Sequence, residues 1–162
     1  MRVRAQILIA APIERVFAVV ADPERALHFM SGVTRWEVAG EKAQGCGARY
    51  RMLLRVGSAE IGGLIEIVEY DQPRELAWTS VTGIDQRGRF RMRADGPERT
   101  RVEMRLSYGV AGGGPAAWLA EWIGGRTVSR HLNESLRALK RLVEYEQMRE
   151  RAAERRAART AA

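Results

Sequence analysis

Several features that identify common protein classes are scarce in this chain of 162 residues. The single cysteine, Cys46, cannot form an internal disulfide bond, which excludes the disulfide-rich secreted domains. Only two histidines occur, and no HExxH or CxxC motif is present, so we expect no metal and no cofactor. No stretch approaches the ~18 consecutive apolar residues of a membrane-spanning helix. The apolar run at residues 5–13 is also too short for a signal peptide, and we expect a cytoplasmic protein.

The net charge of +7 is unevenly distributed. Residues 149–162 hold five arginines and two glutamates and contribute +3 of it. The rest of the chain is moderately basic, which does not favour a nucleic-acid partner and allows at most peripheral contact with a membrane. We expect one domain at residues 1–147, followed by an Arg/Ala-rich tail at 148–162 that either extends a helix or is disordered. The oligomeric state stays open.

One long helix is predicted in the second half of the chain. Leu132, Leu136, Leu139 and Val143 recur at helical spacing, and residues 126–145 form the predicted rod. A glycine pair at 124–125 interrupts the pattern. The preceding segment, 112–125, carries Trp118 and Trp122 between glycines. We interpret it either as a lid over an internal cavity or as a tightly packed helix start.

Most of the remaining sequence predicts strands. After a first strand at 3–10, Pro12 opens a helix and Asp22 caps a second short helix that begins at Pro23. Six strands follow, at 33–38, 48–56, 60–70, 76–81, 87–94 and 99–110, with apolar and charged residues alternating. A glycine pair at 62–63 predicts a bulge or bend. The fold class is therefore α+β, with a seven-stranded curved antiparallel sheet wrapped around a C-terminal helix.

This pattern resembles the START-like, helix-grip superfamily, which includes polyketide cyclase/dehydrase and lipid-transport proteins. The resemblance covers about residues 1–147 and rests on IAAPIERVFAVVADPERALHFMSGV at 9–33, GCGARYR at 45–51, IVEYDQPRELAWTS at 67–80, RTRVEMRLSY at 99–108 and SLRALKRLVE at 135–144. It implies a cavity between the sheet and the long helix. The ligand it implies is a hydrophobic small molecule such as a lipid, a polyketide or another aromatic compound.

The predicted ligand-binding residues lie on the apolar faces of the strands and helices. Any one of them could instead fill the core, whereas methionines among them suit a site for irregular apolar molecules. The candidates are Phe29, Met30, Tyr50, Met52, Leu54, Ile65, Trp78, Ser80, Phe90, Met92, Met104, Leu106, Tyr108, Trp118, Trp122 and Leu132.

No catalytic motif is legible in the sequence. The resemblance allows an alternative in which the same cavity belongs to a cyclase/dehydratase-type enzyme, with Tyr50, Ser80, Tyr108 and His28 as polar groups around the substrate. We interpret His28 and His131 as surface or edge residues, and Cys46 as a loop thiol. The sequence therefore does not identify catalytic residues.

A third alternative uses the basic face of the sheet as an interaction module. Alternation places eight arginines on the solvent-facing side, where an anion could bind or where they could simply be solvated, with Glu103 as one partner. They are Arg49, Arg51, Arg55, Arg89, Arg91, Arg93, Arg101 and Arg105.

Overall fold

The computed structural model describes residues 2–56, 58–108 and 125–160. These ranges contain seven strands and three helices. In chain order they are β1 (Arg2–Ile9), α1 (Ile13–Ala21), α2 (Ala26–Phe29), β2 (Val33–Val38), β3 (Arg49–Val56), β4 (Ala59–Asp71), β5 (Glu75–Ser80), β6 (Gln86–Ala94), β7 (Thr100–Tyr108) and α3 (Gly125–Thr160).

The seven strands form one antiparallel sheet, as the alternation predicts. Its order is β1-β7-β6-β5-β4-β3-β2, so β2 to β7 follow one another as neighbours and β1 joins at the far edge beside β7. Inward-facing residues such as Phe90 and Met92 are buried, while Arg93 on the other face is exposed. The predicted α+β class, with two short helices after the first strand and a long helix packed on a curved sheet, is confirmed.

Helix α3 is longer than the predicted rod. Its 36 residues extend through the Arg/Ala-rich segment to Thr160, a length of roughly 54 Å. The predicted stripe of Leu132, Leu136, Leu139 and Val143 is buried. It packs against β1, α1, α2 and β7, which holds the helix along one side of the sheet.

Of the predicted bulge or bend at Gly62–Gly63, the bulge is wrong, because the β3–β4 register runs through the pair without a shift. The irregularity in β4 lies instead at Val68, between the pairs of Ile67 and Glu69 with β5. The glycines serve close packing: a Cβ atom at Gly62 would lie 2.0 Å from the carbonyl oxygen of Met52. A side chain at either position would push neighbouring backbone away.

The second short helix begins later than the sequence predicts. Asp22 does not cap a helix at Pro23; its carboxylate accepts a hydrogen bond from the Glu24 amide, 2.9 Å away, and residues 23–25 form turns before α2 starts. Gly32 follows α2 with φ +80°, which favours glycine. This turn brings Ser31 against α3, where its amide donates to the Ser135 hydroxyl at 2.8 Å.

One half of the space between the sheet and α3 is filled by a continuous core. Phe17 of α1 packs edge-on against Tyr70, with ring centroids 5.2 Å apart, and Phe29 of α2 meets Phe90 at 6.2 Å. Leu136, Leu139 and Val143 of α3 close this half. Across the described ranges, no helix is both long and apolar enough to cross a membrane.

Candidate functional site

A cavity of about 480 Å³ occupies the other half of the interface, between the first turns of α3 and the sheet. The walls come from the turn after α2, from β2 to β7 with the loop between β5 and β6, and from α3. Most of the exposed wall is apolar. The lining comprises Met30, Ser31, Val33, Met52, Leu54, Arg55, Ile61, Gly62, Trp78, Ile84, Gln86, Met104, Leu106, Tyr108, Val128, Arg130, His131, Leu132 and Ser135.

The structure brings about half of the predicted ligand-binding residues to this cavity. These are Met30, Met52, Leu54, Trp78, Met104, Leu106, Tyr108 and Leu132. The cavity therefore has three methionines in its wall, one after α2 and one each on β3 and β7. Their flexible thioethers can adapt to ligands of irregular shape.

The other described candidates lie outside the cavity. Tyr50 is buried, stacks on Trp36 with centroids 5.3 Å apart, and donates its hydroxyl to the carbonyl of Ala43 at 2.7 Å. Burial raises the pKa of the Tyr50 phenol, with smaller contributions from the nearby Tyr70 and Asp22. The Ser80 hydroxyl accepts from the Gln86 amide at 3.0 Å.

Four apolar candidates belong to the filled half of the interface rather than to the cavity wall; they are Phe29, Ile65, Phe90 and Met92. Trp118 and Trp122 lie outside the described residues. The predicted lid at residues 112–125 also falls almost entirely outside them.

The sequence predicts that His131 is a surface or edge residue; the structure places it in the cavity wall, with its side chain 25% exposed. Its Nδ1 atom lies 2.9 Å from the hydroxyl oxygen of Ser31. That hydroxyl in turn donates to the carboxylate of Glu134 at 2.8 Å. The three side chains form a chain in the order carboxylate, hydroxyl, imidazole.

The Glu134 carboxylate determines the direction of the hydrogen bonds in this network. An ionised carboxylate only accepts, so the single hydroxyl proton of Ser31 is directed at Glu134. The serine oxygen then accepts from His131, which places the imidazole proton on Nδ1 and leaves a lone pair on Nε2 in the neutral ring. Among the described residues, none hydrogen-bonds to that Nε2 atom.

This arrangement differs from a hydrolytic Ser-His-Glu triad. In a triad the imidazole stands between the carboxylate and the serine, and removes the serine proton. Here Ser31 stands between Glu134 and His131, so its proton is held by the carboxylate. Both side chains line the cavity, and Ser31 is not arranged as a nucleophile.

The other polar groups of the wall are largely occupied within the protein. Ser135 donates its hydroxyl to the carbonyl of His131 at 2.7 Å. Arg55 at the rim pairs with Glu60 at 3.1 Å, and Arg130 approaches Glu134 at 3.7 Å. Burial raises the pKa of the Tyr108 phenol, which is therefore a neutral group at physiological pH.

The indole of Trp78 contributes ring carbons to the cavity rather than a hydrogen-bond donor. Its Nε1 atom is sealed from solvent and has no acceptor among the described residues. An atom facing an open cavity would be accessible to water, so this N–H points into packed protein.

The eight arginines predicted on the outer face are mostly paired with carboxylates. Glu75 contacts both Arg89, at 2.7 Å, and Arg91, at 3.2 Å, and the predicted partner Glu103 pairs with Arg105 at 2.6 Å. Three more of the eight arginines form ion pairs; they are Arg49 with Glu66, Arg55 with Glu60, and Arg101 with Asp95. Only Arg51 and Arg93 of the eight have no ion pair within the described ranges.

Neither His28 nor Cys46 contributes to the cavity. His28 is exposed and borders a shallow depression on the outer side of α3, beside Leu142 and Tyr145. Cys46 is an exposed free thiol. Within residues 2–56, 58–108 and 125–160, no group of three or more His, Cys, Asp or Glu side chains could hold a metal ion.

Comparison with protein families gives the chain its class. The family model described as polyketide cyclase / dehydrase and lipid transport matches residues 1–144, and the chain belongs to this family. No curated protein matches it.

Solved structures share the fold across nearly their whole length. The protein TTHA0849 from Thermus thermophilus is 23% identical with a TM-score of 0.76, over 90% of this chain and 99% of that one. The Zhui aromatase/cyclase from Streptomyces sp. R1128 is 19% identical with a TM-score of 0.75, over 89% and 93%. A START superfamily protein from Mycobacterium smegmatis is 17% identical with a TM-score of 0.69, over 89% and 97%. At these identities the likeness concerns the fold, which is START-like.

Proposed function

We propose that the protein binds a hydrophobic small molecule, such as a lipid, a polyketide or another aromatic compound, in the cavity at the start of α3. The observation that carries this proposal is the contrast between the two halves of the interface. One half is packed by aromatic and aliphatic side chains, whereas the other encloses about 480 Å³ with a mostly apolar wall. That volume lies within the range of roughly 300–1,000 Å³ of small-molecule sites.

The family and the fold support the same proposal in a coarser way. The family description includes both lipid transport and cyclase/dehydrase proteins, and one structural neighbour is called an aromatase/cyclase. Both kinds of protein handle apolar molecules. The shared requirement is a cavity that excludes water, and binding without reaction is the simplest use of such a space.

A cavity-filling variant tests the proposal. Leu106 on β7 lines the cavity, and Leu106→Trp adds an indole to that space. We expect the wild-type protein to bind pyrene in a fluorescence titration, and Leu106→Trp to bind it at least about tenfold more weakly, since the variant removes the volume that the ligand needs. The control is Val38→Trp, which adds the same indole at an exposed position on the edge strand β2.

Native mass spectrometry of the purified protein gives an independent measurement. A retained apolar adduct that is present in Val38→Trp and absent in Leu106→Trp supports binding in the cavity. The proposal fails if the wild-type protein neither retains an adduct nor binds pyrene.

A second candidate function is catalysis of the cyclase/dehydratase type in the same cavity. The observation that favours it is the histidine in the wall, because such reactions require a group that transfers protons. Cyclisation of a poly-β-ketone substrate by the wild-type protein, followed by mass spectrometry, tests it. Absence of product with wild-type protein that binds the substrate would leave binding as the function.

A further inference from the structure

We propose that the cavity selects apolar ligands that carry a neutral hydroxyl group, and that His131 accepts a hydrogen bond from that hydroxyl through Nε2. This inference rests on the proposed binding function and adds the chemical class of the ligand. The position, the tautomer and the surroundings of His131 carry it.

The position of the ring directs its free side toward the cavity. The Nδ1–Cε1 edge packs against the turn after α2, where a Cβ atom at Gly32 would lie 3.1 Å from Cε1 and 3.2 Å from Nδ1. The Ser31 hydroxyl forms a hydrogen bond with Nδ1 on the same edge. The exposed quarter of the side chain therefore belongs to the opposite edge, which carries Nε2 and lies in the cavity wall.

Ser31 and Glu134 act as positioning residues. Glu134 orients the Ser31 hydroxyl, and the serine oxygen holds the imidazole proton on Nδ1. The network thereby selects one of the two ring orientations and one of the two neutral tautomers of the imidazole. The result is a fixed hydrogen-bond acceptor in an otherwise apolar wall, which is the usual design of a selective small-molecule site.

The charges around His131 favour a neutral ligand over an anionic one. Glu134 stands 3.7 Å from Nδ1, and both wall arginines are already engaged, Arg55 by Glu60 and Arg130 by Glu134. A ligand carboxylate would meet a lone pair on Nε2 and no free cation among the described lining residues. A hydroxyl supplies the proton that the lone pair accepts.

Three fluorescent probes with one ring system separate these ligand classes. Hydroxypyrene, methoxypyrene and pyrene carboxylate, substituted at the same ring position, differ only in the polar group. We expect the wild-type protein to bind hydroxypyrene about 3–10-fold more tightly than methoxypyrene, which corresponds to one net hydrogen bond. Pyrene carboxylate should bind most weakly of the three.

Variants of the network assign the preference to its source. His131→Leu should reduce the ratio of hydroxypyrene to methoxypyrene affinity to about one, whatever its effect on the affinity for methoxypyrene alone. Ser31→Ala should lower the ratio in part, because Nδ1 loses the acceptor that fixes the tautomer. The control His28→Leu removes the other, exposed histidine and should keep the wild-type ratio.

A spectroscopic measurement on the wild-type protein does not depend on the folding of any variant. Long-range proton–nitrogen correlation spectra should show His131 as the neutral Nδ1–H tautomer, and Ser31→Ala should shift it toward a tautomer mixture. An Nε2–H tautomer in the wild-type protein overturns the inference, as does stronger binding of the carboxylate than of the hydroxyl probe.

The outcomes distinguish this inference from the function on which it rests. If all three probes bind with equal affinity, or if His131→Leu keeps the preference, the cavity binds apolar molecules but the assignment of His131 is wrong. If none of the probes binds to the wild-type protein, the binding function fails and the inference falls with it.

Discussion

Trp78 lies directly over Gly88. The two residues are paired across β5 and β6, and a Cβ atom at Gly88 would be 1.9 Å from Cζ2 of the indole. The largest side chain of one strand thus occupies the space left by the smallest residue of the next. Because the indole is also part of the cavity wall, this pair links the packing of the sheet to the shape of the site.

Substitution of Gly88 tests that relationship. Gly88→Ala must displace the Trp78 ring, and we expect a loss of about 1–3 kcal/mol in the free energy of unfolding, measured by urea denaturation. Pyrene should bind more weakly as the wall moves. The control Arg87→Ala changes an exposed neighbour on the same strand and should stay within ~0.5 kcal/mol of wild type. Equal stability of Gly88→Ala and wild type would contradict this packing.

Tyr50 is expected to contribute to stability and not to ligand binding. Tyr50→Phe removes the hydrogen bond to the carbonyl of Ala43 and should cost about 1–2 kcal/mol, whereas pyrene affinity should remain within about twofold of wild type. Tyr145→Phe is the control, since this tyrosine is exposed on α3. A loss of pyrene binding in a folded Tyr50→Phe variant would show that Tyr50 is a ligand-binding residue.

Glu144 joins α3 to the end of the first strand. Its carboxylate accepts from the Ala10 amide at 2.8 Å and from Lys140 at 2.6 Å, and Lys140 also donates to the Leu8 carbonyl at 2.9 Å. Burial opposes ionisation of Glu144, but the contacts with Lys140 and Ala10 outweigh it and lower its pKa. We expect Glu144→Gln to cost about 1 kcal/mol at neutral pH.

The pH dependence of this variant has a definite sign. Because the folded pKa of Glu144 lies below the unfolded value of about 4.3, the contribution is complete above that value and is lost as the pH falls through the folded pKa. The stability difference between wild type and Glu144→Gln should therefore narrow in acid. The exposed Glu41→Gln is the control and should show no difference at either pH. A stability difference between wild type and Glu144→Gln that widens in acid would contradict the prediction.

Glu75 neutralises two arginines on the outer face of the sheet. Its side chain is 13% exposed and contacts Arg89 and Arg91, so Glu75→Gln should cost about 1 kcal/mol at low ionic strength and less at high salt. Glu60→Gln, which breaks the exposed pair with Arg55, should leave urea stability unchanged. An equal effect of the two substitutions would show that burial of the Glu75 pair adds nothing.

Sequence periodicity predicts the fold well because the repeating patterns are local. The alternation around Phe90 and Met92 gives the buried face of β6, and the spacing of Leu132 and Leu136 gives the buried face of α3. Backbone irregularities were less predictable. The glycine at position 62 suggests a bulge, yet its role is the close approach of β3, which depends on contacts between strands rather than on local sequence.

The candidate site was only partly predictable for a related reason. Alternation assigns a residue to a face of the sheet but not to a position along the strand. Tyr50 and Met52 share a face, and only Met52 reaches the cavity. The contact of Ser31 with His131 spans 100 residues, so no local pattern reveals it. The available signal was the position of His131 three residues after Val128 and four before Ser135, which widens the buried stripe of α3.

The pairing of β1 with β7 has a consequence for protein synthesis. Strands β2 to β7 can pair with their neighbours in the order in which they leave the ribosome, but the partner of β1 begins only at Thr100. At ~5–20 residues translated per second, β1 waits roughly 5–20 s with Ile9 exposed. The helix α3 also packs on β1 and is synthesised later still. The first strand synthesised is therefore among the last to reach its packed position in the fold.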